Sequence, residues 1–364
     1  MKLKINLFLL LATVSSQFYS QSNAITTVAP FLNIVTDARA AGMGDVGVAT
    51  SADANSMFHN SAKMVFQKTE ASFAINYTPW LRNLTDDIYV GNITYQQRID
   101  ERSAFGGGIK YFNYGEVEVT QADGTGSSTG SPYELAIDAA YALKLSNNYS
   151  MSVGLRYMRS DLTISGTSLT DFEPSNGFAV DISGYYISDE MPFSEFNGVI
   201  RGGFSITNLG PKVSVFSREE FLPTNLKLGG GFDFIMDDYN QVGLTLEFTK
   251  LLVPSVDGDD KNFISGVVSS FGDAPGGFSE ELQEVTIGLG AEYLYNNAFA
   301  FRAGYFKENE NKGNRNFYTL GLGFKASAFS VDLSYLISNT VVNNPLENTL
   351  RFSLSFDFGD VFEY

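Results

Sequence analysis

Leu350-Arg351-Phe352-Ser353-Leu354-Ser355-Phe356-Asp357-Phe358 alternates without interruption. Leu350, Phe352, Leu354, Phe356 and Phe358 point one way; Arg351, Ser353, Ser355 and Asp357 point the other. Successive side chains of a β-strand face opposite sides of the sheet. This stretch therefore reads as a strand with one apolar and one polar face. Working back along the chain, Phe329, Val331, Leu333 and Tyr335 oppose Ser330, Asp332 and Ser334. Val285, Ile287, Leu289, Ala291, Tyr293 and Tyr295 oppose Thr286, Gly288, Gly290 and Glu292. Val242, Leu244, Leu246 and Phe248 oppose Gly243, Thr245, Glu247 and Thr249. Alternation sustained this long fits transmembrane strands of about 9–11 residues.

The same reading predicts about fourteen strands, a typical even number for outer-membrane barrels. They start near residues 69, 87, 103, 134, 149, 177, 198, 224, 240, 283, 298, 315, 328 and 348. Their connections alternate in length. Tight turns fall at 100–102, 146–148, 237–239, Asn296-Asn297 and near Ala326, with a longer member at 189–197. Long connections fall at 78–86, 115–131, 160–176, 210–223, 251–281, 307–314 and 338–347. Short periplasmic turns and long extracellular loops are the outer-membrane pattern, and a soluble β-sandwich gives no reason for it. An even strand count puts both termini on the periplasmic side. No solenoid repeat or interdomain linker is visible.

Composition agrees. Thirty-one Phe, 19 Tyr and 35 Gly beside a single Trp suit an apolar outer face with tight turns. Lys2 and Lys4 precede an apolar run, Ile5 to Val14, and then small residues including Ser22-Asn23-Ala24. That is a secretory signal, with cleavage expected between about residues 20 and 24. The apolar run is too short for a transmembrane helix. The chain has no cysteine, so no disulfide staples it. Its formal net charge of -17, without a basic patch, argues against nucleic acid.

The polar faces carry Asp138, Arg156, Asp181, Arg201, Lys227, Glu247, Glu292, Arg302, Asp332 and Arg351. An Arg or Lys on the lipid face would cost ~2–4 kcal/mol at the bilayer midplane, so these charges are expected to face the lumen. Approximate register pairs Asp138 with Arg156, Glu292 with Arg302, Lys227 with Glu247, Asp181 with Arg201 and Asp332 with Arg351. Such a lumen is either a polar transport path or a cross-braced wall. Two places break the pattern. The phase changes near Gly91, which suggests a bulge. Gly106-Gly107-Gly108 lies inside a strand, marking either a gap in the wall or room for something packed behind it.

Ahead of the strands, residues 37–65 read DARAAGMGDVGVATSADANSMFHNSAKMV. This stretch of small residues holds the only histidine, His59. Asp37-Ala38-Arg39-Ala40-Ala41-Gly42-Met43-Gly44, Gly47-Val48-Ala49-Thr50, Asp53-Ala54-Asn55-Ser56 and Asn60-Ser61-Ala62-Lys63 resemble the hatch of FadL-type outer-membrane barrels. Among those they most resemble the PorV family of type IX secretion components. Ser61 stands where the usual hatch pattern has proline. The resemblance implies an all-β membrane protein, a 14-stranded antiparallel outer-membrane β-barrel with an N-terminal hatch. Residues 25–68 would form the hatch and 69–364 the barrel, with Asp37, Gly42, Gly44, Gly47, Asn60 and Ala62 as its motif. It further implies binding to the translocon barrel SprA and to cargo carrying C-terminal signal domains. Cargo would then pass to a PorU-containing attachment complex, all within outer-membrane lipid.

Catalytic chemistry is poorly served. Without cysteine, any Ser–His site must use His59. One His and no Cys make a poor zinc site. Val256-Asp257-Gly258-Asp259-Asp260-Lys261-Asn262 lacks the Gly and Glu spacing of an EF-hand and reads as an acidic loop. Gly288-Leu289-Gly290 lies in a strand and is no nucleotide loop. No catalytic residue, metal or cofactor is expected.

Binding is better supported. The long loops carry Trp80, Leu81, Val213, Val215, Phe216, Phe221, Leu222, Leu251, Leu252, Val253, Phe263, Ile264, Val267 and Val268. Apolar loop clusters mark contacts, either with translocon or cargo, or with one another over the barrel mouth. Three functions fit: a secretion accessory, a FadL-like channel for hydrophobic small molecules, or a lipid hydrolase such as a lipid A deacylase working through His59.

Overall fold

Strands whose two faces differ so sharply must bury one face and give the other to lipid, and a sheet closed on itself does both while leaving no edge. The computed structural model describes residues 25–82, 85–120, 127–164, 173–215, 218–255, 261–339 and 348–362. Its wall has fourteen strands: β1 (Thr69–Pro79), β2 (Tyr89–Arg98), β3 (Ser103–Asn113), β4 (Tyr133–Lys144), β5 (Tyr149–Asp161), β6 (Ser175–Ile187), β7 (Asn197–Leu209), β8 (Asn225–Ile235), β9 (Asn240–Leu251), β10 (Val285–Tyr295), β11 (Phe299–Lys307), β12 (Asn316–Ala326), β13 (Phe329–Ser338) and β14 (Leu350–Val361). Each pairs antiparallel with its chain neighbours, and β14 closes on β1, Leu354 opposite Ile75. Every strand starts within two residues of its expected place. Among the described residues no helix is long and apolar enough to cross a membrane.

The tight turns follow from local chemistry. Asn296 and Asn297 both adopt positive φ, 54° and 51°. Asparagine tolerates that left-handed backbone, and the two open the three-residue turn between Tyr295 and Phe299. The strand ends meet on the turn side, where Phe362 N–H donates to Lys68 C=O (2.8 Å).

The outward face is apolar and belted with aromatic rings. Near the loop ends Tyr77, Tyr89, Tyr111 and Tyr133 follow one another around four strands at ring separations of 5.7, 6.3 and 5.6 Å. Near the turn ends Phe299 meets Phe324 at 5.3 Å. Tyrosine rings suit the boundary between hydrocarbon and headgroups.

Asp138, Arg156, Asp181, Arg201, Lys227, Glu247, Glu292, Arg302, Asp332 and Arg351 face inward. Asp138–Arg156 (2.5 Å), Glu292–Arg302 (2.7 Å) and Lys227–Glu247 (3.4 Å) form as expected. Two expected pairs do not. Arg201 lies opposite Ile187, far along β6 from Asp181. Arg201 therefore takes Asp233 (2.6 Å), and Asp181 joins Arg156 (3.2 Å). Asp332 lies opposite Ser353 and takes Arg302 (2.6 Å). Arg351 turns instead to Asp45 of the N-terminal segment (3.2 Å).

Neither expected irregularity disrupts the wall. β2 runs in unbroken register with both neighbours through Gly91, so no bulge lies there. The apparent phase change arises because Val90 points inward, into an apolar cluster at the loop-side mouth with Phe31, Phe112, Met158 and Leu222. Gly106–Gly108 are likewise paired on both sides. A Cβ on Gly106 would lie 2.7 Å from Met64 Sδ, and one on Gly108 would lie 3.0 Å from Phe58. These glycines make room for side chains of the N-terminal segment.

The signal (1–24), part of the 115–131 loop, Phe216 and residues 256–260 lie outside the described residues.

Candidate functional site

The N-terminal segment is attached to the inner wall through both backbone and charge. Asp37 accepts from Ala40 N–H (2.8 Å) and caps α1 (Ala38–Ala41), the expected role of aspartate at a helix start. Small residues then let backbone approach backbone. Gly42 sits on Gly321, where an added Cβ would lie 2.9 Å from that Cα. Gly44, at φ 72°, donates its N–H to Thr319 Oγ1 (2.9 Å) and lies against Gly304. Gly47 and Val48 both donate N–H to Glu247 Oε2 (2.7 and 2.9 Å). Asn60 follows α2 (Ser56–His59) and bridges segment and wall. Its Nδ2 donates to Val48 O (2.9 Å) and Gly184 O (3.0 Å), and its Oδ1 accepts from Ala62 N–H (3.0 Å). Ala62 O in turn accepts from Ser150 Oγ (2.6 Å). Ser61, at the position of the usual proline, bonds Ser152 Oγ at 2.7 Å.

Charge locks the same seam. Arg39 reaches Glu292 with two nitrogens (3.0 and 2.8 Å), Asp53 (2.7 Å), and Ser51 through its carbonyl and hydroxyl (3.2 and 2.7 Å). Fully buried Lys63 donates to Gly47 O (2.8 Å) and Thr50 Oγ1 (2.9 Å). Burial draws its ammonium down to about 8. None of these partners was legible in the sequence reading, which paired wall charges only with each other. The signal available was the excess of charge, Arg39, Asp45, Asp53 and Lys63, in a stretch otherwise made of small residues.

His59 Nε2 lies 2.5 Å from Asp37 Oδ2. The other side of its ring packs on Gly47, where a Cβ would meet Cγ and Nδ1 at 2.3 Å. Among the described residues no serine hydroxyl is bonded to His59, and no group of His, Cys, Asp and Glu is arranged to hold a metal. Burial would push the Asp37 carboxyl up, but His59, the Ala40 N–H and Lys63 outweigh it and hold it down at about 2, against an ordinary 3.8. A carboxyl depressed in this way favours the folded state by about 2 kcal/mol at neutral pH. That contribution is complete above about pH 4 and is lost as pH falls through about 2. Asp37→Asn is therefore expected to flatten the acid limb of stability, read as the urea midpoint from pH 6 to pH 2. An acid limb as steep as that of the wild type would rule this role out.

The expected loop residues separate into two groups. Phe221, Leu222, Leu252 and Val213 are buried, and Trp80 and Val215 pack against the same mouth cluster; Trp80 meets Phe112 edge-on at 6.2 Å. Val28 N–H donates to Phe221 O (3.0 Å), so these side chains roof the segment. Leu81 is half-buried in a turn at φ 52°. Phe263 opens α3 (Phe263–Ser269) and is half-buried. The exposed set lies further along the same loop. Ile264 (61%), Val268 (68%), Phe271 (55%), Phe278 (77%) and Leu282 (57%) face solvent on or beside α3 and α4 (Phe278–Gln283). Phe271, Phe278 and Leu282 are not among the expected loop residues, although the four-residue spacing of Phe278 and Leu282 with Glu280 and Glu281 between them marks one helix face.

The position of α4 is set by ion pairs. Lys250 holds Glu281 (2.8 Å) and Glu284 (2.6 Å), and Lys312 holds Glu280 (2.6 Å) and Glu284 (3.1 Å). Burial opposes it, yet Glu280 and Glu284 raise the Lys312 ammonium above its ordinary value. Anchored on that side, α4 turns Phe278 and Leu282 outward.

The family described as Type IX secretion system protein PorV matches residues 17–257. The chain belongs to the PorV family. The matched residues span the N-terminal segment and β1–β9 and end before α3 and α4. It makes the protein an outer-membrane component of type IX secretion. The FadL-like fold is shared with solved barrels. The Ralstonia pickettii toluene transporter TbuX is 13% identical with a TM-score of 0.51, over 90% of this chain and 99% of that one. The Pseudomonas putida toluene transporter TodX is 12% identical with a TM-score of 0.50, over 87% and 95%. A TodX deltaS2S3 mutant monoaromatic hydrocarbon channel is 11% identical with a TM-score of 0.54, over 88% and 98%. At such identities these likenesses speak for the fold. No curated protein matches the chain.

Proposed function

We propose that this PorV-family barrel is a non-enzymatic accessory of type IX secretion. In this reading residues 25–68 are a hatch that closes the barrel, the termini are periplasmic and the long loops extracellular. The loop bearing α3 and α4 meets the translocon SprA or the C-terminal signal domain of cargo, and cargo passes on to the PorU-containing attachment complex. The observation that carries the reading is the exposed row Ile264, Val268, Phe271, Phe278 and Leu282 on a loop anchored by Lys250 and Lys312. Water disfavours such a row, and an ordered apolar face is suited to docking. Phe221, Leu222 and Leu252 contribute from beneath, by supporting the loops.

The channel reading draws less support. The wall at Gly106–Gly108 is paired on both sides and backed by Met57, Met64 and Phe58. The void beside Asp37, His59, Lys110 and Arg156 measures about 40 Å³, room for a few waters at most. The deacylase reading has only His59, whose ring lies between Asp37 and Gly47.

Phe278→Asp is expected to lower co-purification of the large translocon barrel and of signal-bearing cargo by about tenfold or more, the scale of an interface hot spot, while the barrel still shows its heat-dependent shift in gel mobility. Unchanged recovery of both partners, with cargo displayed normally at the surface, would sink the proposal.

A further inference from the structure

Besides a one-residue shift where β1 meets β14 at Thr69–Ala71, the wall has a built irregularity between β6 and β7. Ile206 lies opposite Ile182, but Leu209 lies opposite Val180, so β7 carries an extra residue there. Asn208 takes up the slack at φ 60°. It is secured from inside the barrel: its N–H donates to Asp181 Oδ1 (2.7 Å), its Nδ2 donates to Pro223 O (2.9 Å), and its Oδ1 accepts from Arg156. Beyond it Gly210-Pro211 leaves the wall, so β6 from Ser175 to Ala179 pairs only with β5. The bulge thus comes from a hydrogen-bonded kink on the lumen side, and its consequence is on the lipid side.

That consequence is a notch of about 490 Å³ on the outer face of β4–β7, lined by Ile137, Leu155, Phe178, Leu209 and Pro211, with Phe263 of α3 over it. Ile137, Leu155 and Phe178 are exposed on the barrel's outward side, so the notch is continuous with the lipid-facing surface. Its volume falls within the range of small-molecule pockets, and its exposed surface is almost wholly apolar, although the inward-facing Asp138 and Arg156 back it through the wall. Left empty in a bilayer, its lining would lack packing partners.

We infer that this notch binds one acyl chain of a membrane lipid, drawn from the leaflet at the loop end of the barrel. The chain lies along Leu155 and Phe178, and Phe263 closes over its end. The site opens on the outer face, with Asp138 and Arg156 shared between it and the lumen void behind; it is separate from the exposed face of α4, and it does not rest on either partner assignment.

The test uses the full-length mature barrel in nanodiscs whose lipids carry a photoactivatable diazirine on the acyl chain, with adducts mapped by mass spectrometry. Labelling of residues at the notch is expected to exceed that at Leu320, Leu322 and Leu333, outward residues elsewhere on the wall, by about fivefold or more, a preference of about 1 kcal/mol. Ala139→Trp, which fills the notch from the outer face of β4, is expected to bring notch labelling down to the level of those residues. Phe263→Ala, outside the wall, is expected to lower it in part and guards against a folding defect in the first variant. Equal labelling of both faces in the wild type would overturn the inference. So would undiminished notch labelling in both variants.

Discussion

Glu292→Gln is expected to destabilise the folded barrel by about 3–5 kcal/mol, the scale of breaking a buried ion pair by removing one partner. Glu292 receives Arg39 from the N-terminal segment and Arg302 from β11, at 2.8 and 2.7 Å. Neutralising it leaves two buried guanidiniums facing each other with one fewer anion. Asp53 and Asp332 remain, 2.7 and 2.6 Å from Arg39 and Arg302, but neither bridges the two arginines. The measurement is a urea midpoint followed by Trp80, the only tryptophan, which sits in the mouth cluster. Arg39→Met combined with Glu292→Gln is expected to cost less than the sum of the two single changes, because the second change no longer strands a charge. Strict additivity would show that Arg39 and Glu292 are not coupled.

Gly304→Val acts on the same seam without touching a charge. A Cβ on Gly304 would lie 2.0 Å from Gly44 N, 2.2 Å from Met43 C and 2.5 Å from Thr319 Oγ1. Backbone on the facing side cannot swing away as a flexible side chain would, so the segment must lift off the wall. Overpacking of this kind costs about 1–3 kcal/mol or more. The loss should fall on the segment, since β11 keeps its pairing with β10 and β12. Trypsin is expected to cut after Arg39 and Lys63 about tenfold faster or more, because local opening then needs about 1.4 kcal/mol less. The heat-dependent gel shift of the barrel should persist. Wild-type resistance at both sites would mean that the segment does not seat on Gly304.

These two sites show where reading along the chain reached its limit. Each strand's inward face was legible because a strand's alternation is a local property, and Glu292 and Arg302 were paired correctly because only a three-residue turn separates their strands. The third member, Arg39, is 253 residues from Glu292. No periodicity reports a contact at that separation. Asp181 and Arg201 show a subtler failure: both faces were right, but the connection between Ile187 and Asn197 sets a register that puts Arg201 opposite Ile187, well along β6 from Asp181. Val90 was misread because polarity was taken as a proxy for direction. The lumen is apolar at its loop end and ionic in the middle, so an apolar residue there points inward.

The loops divide on the same principle. Apolar loop residues were expected to be covered or to dock, but Leu222 and Phe278 look alike along the chain. Leu222 folds over Val28–Leu32 at the mouth, whereas Phe278 is turned outward because Lys250 and Lys312 hold the acidic side of α4. Strand number, the sense of each face, the alternation of turns and loops, and the family motif from Asp37 to Lys63 all depend on neighbours a few residues apart, and all could be read along the chain. Which charge meets which, where the wall is bulged and which apolar loop residues stay exposed depend on ring closure and on a segment threaded against its inner face. Those contacts join residues hundreds of positions apart, and only the closed barrel brings them within bonding distance.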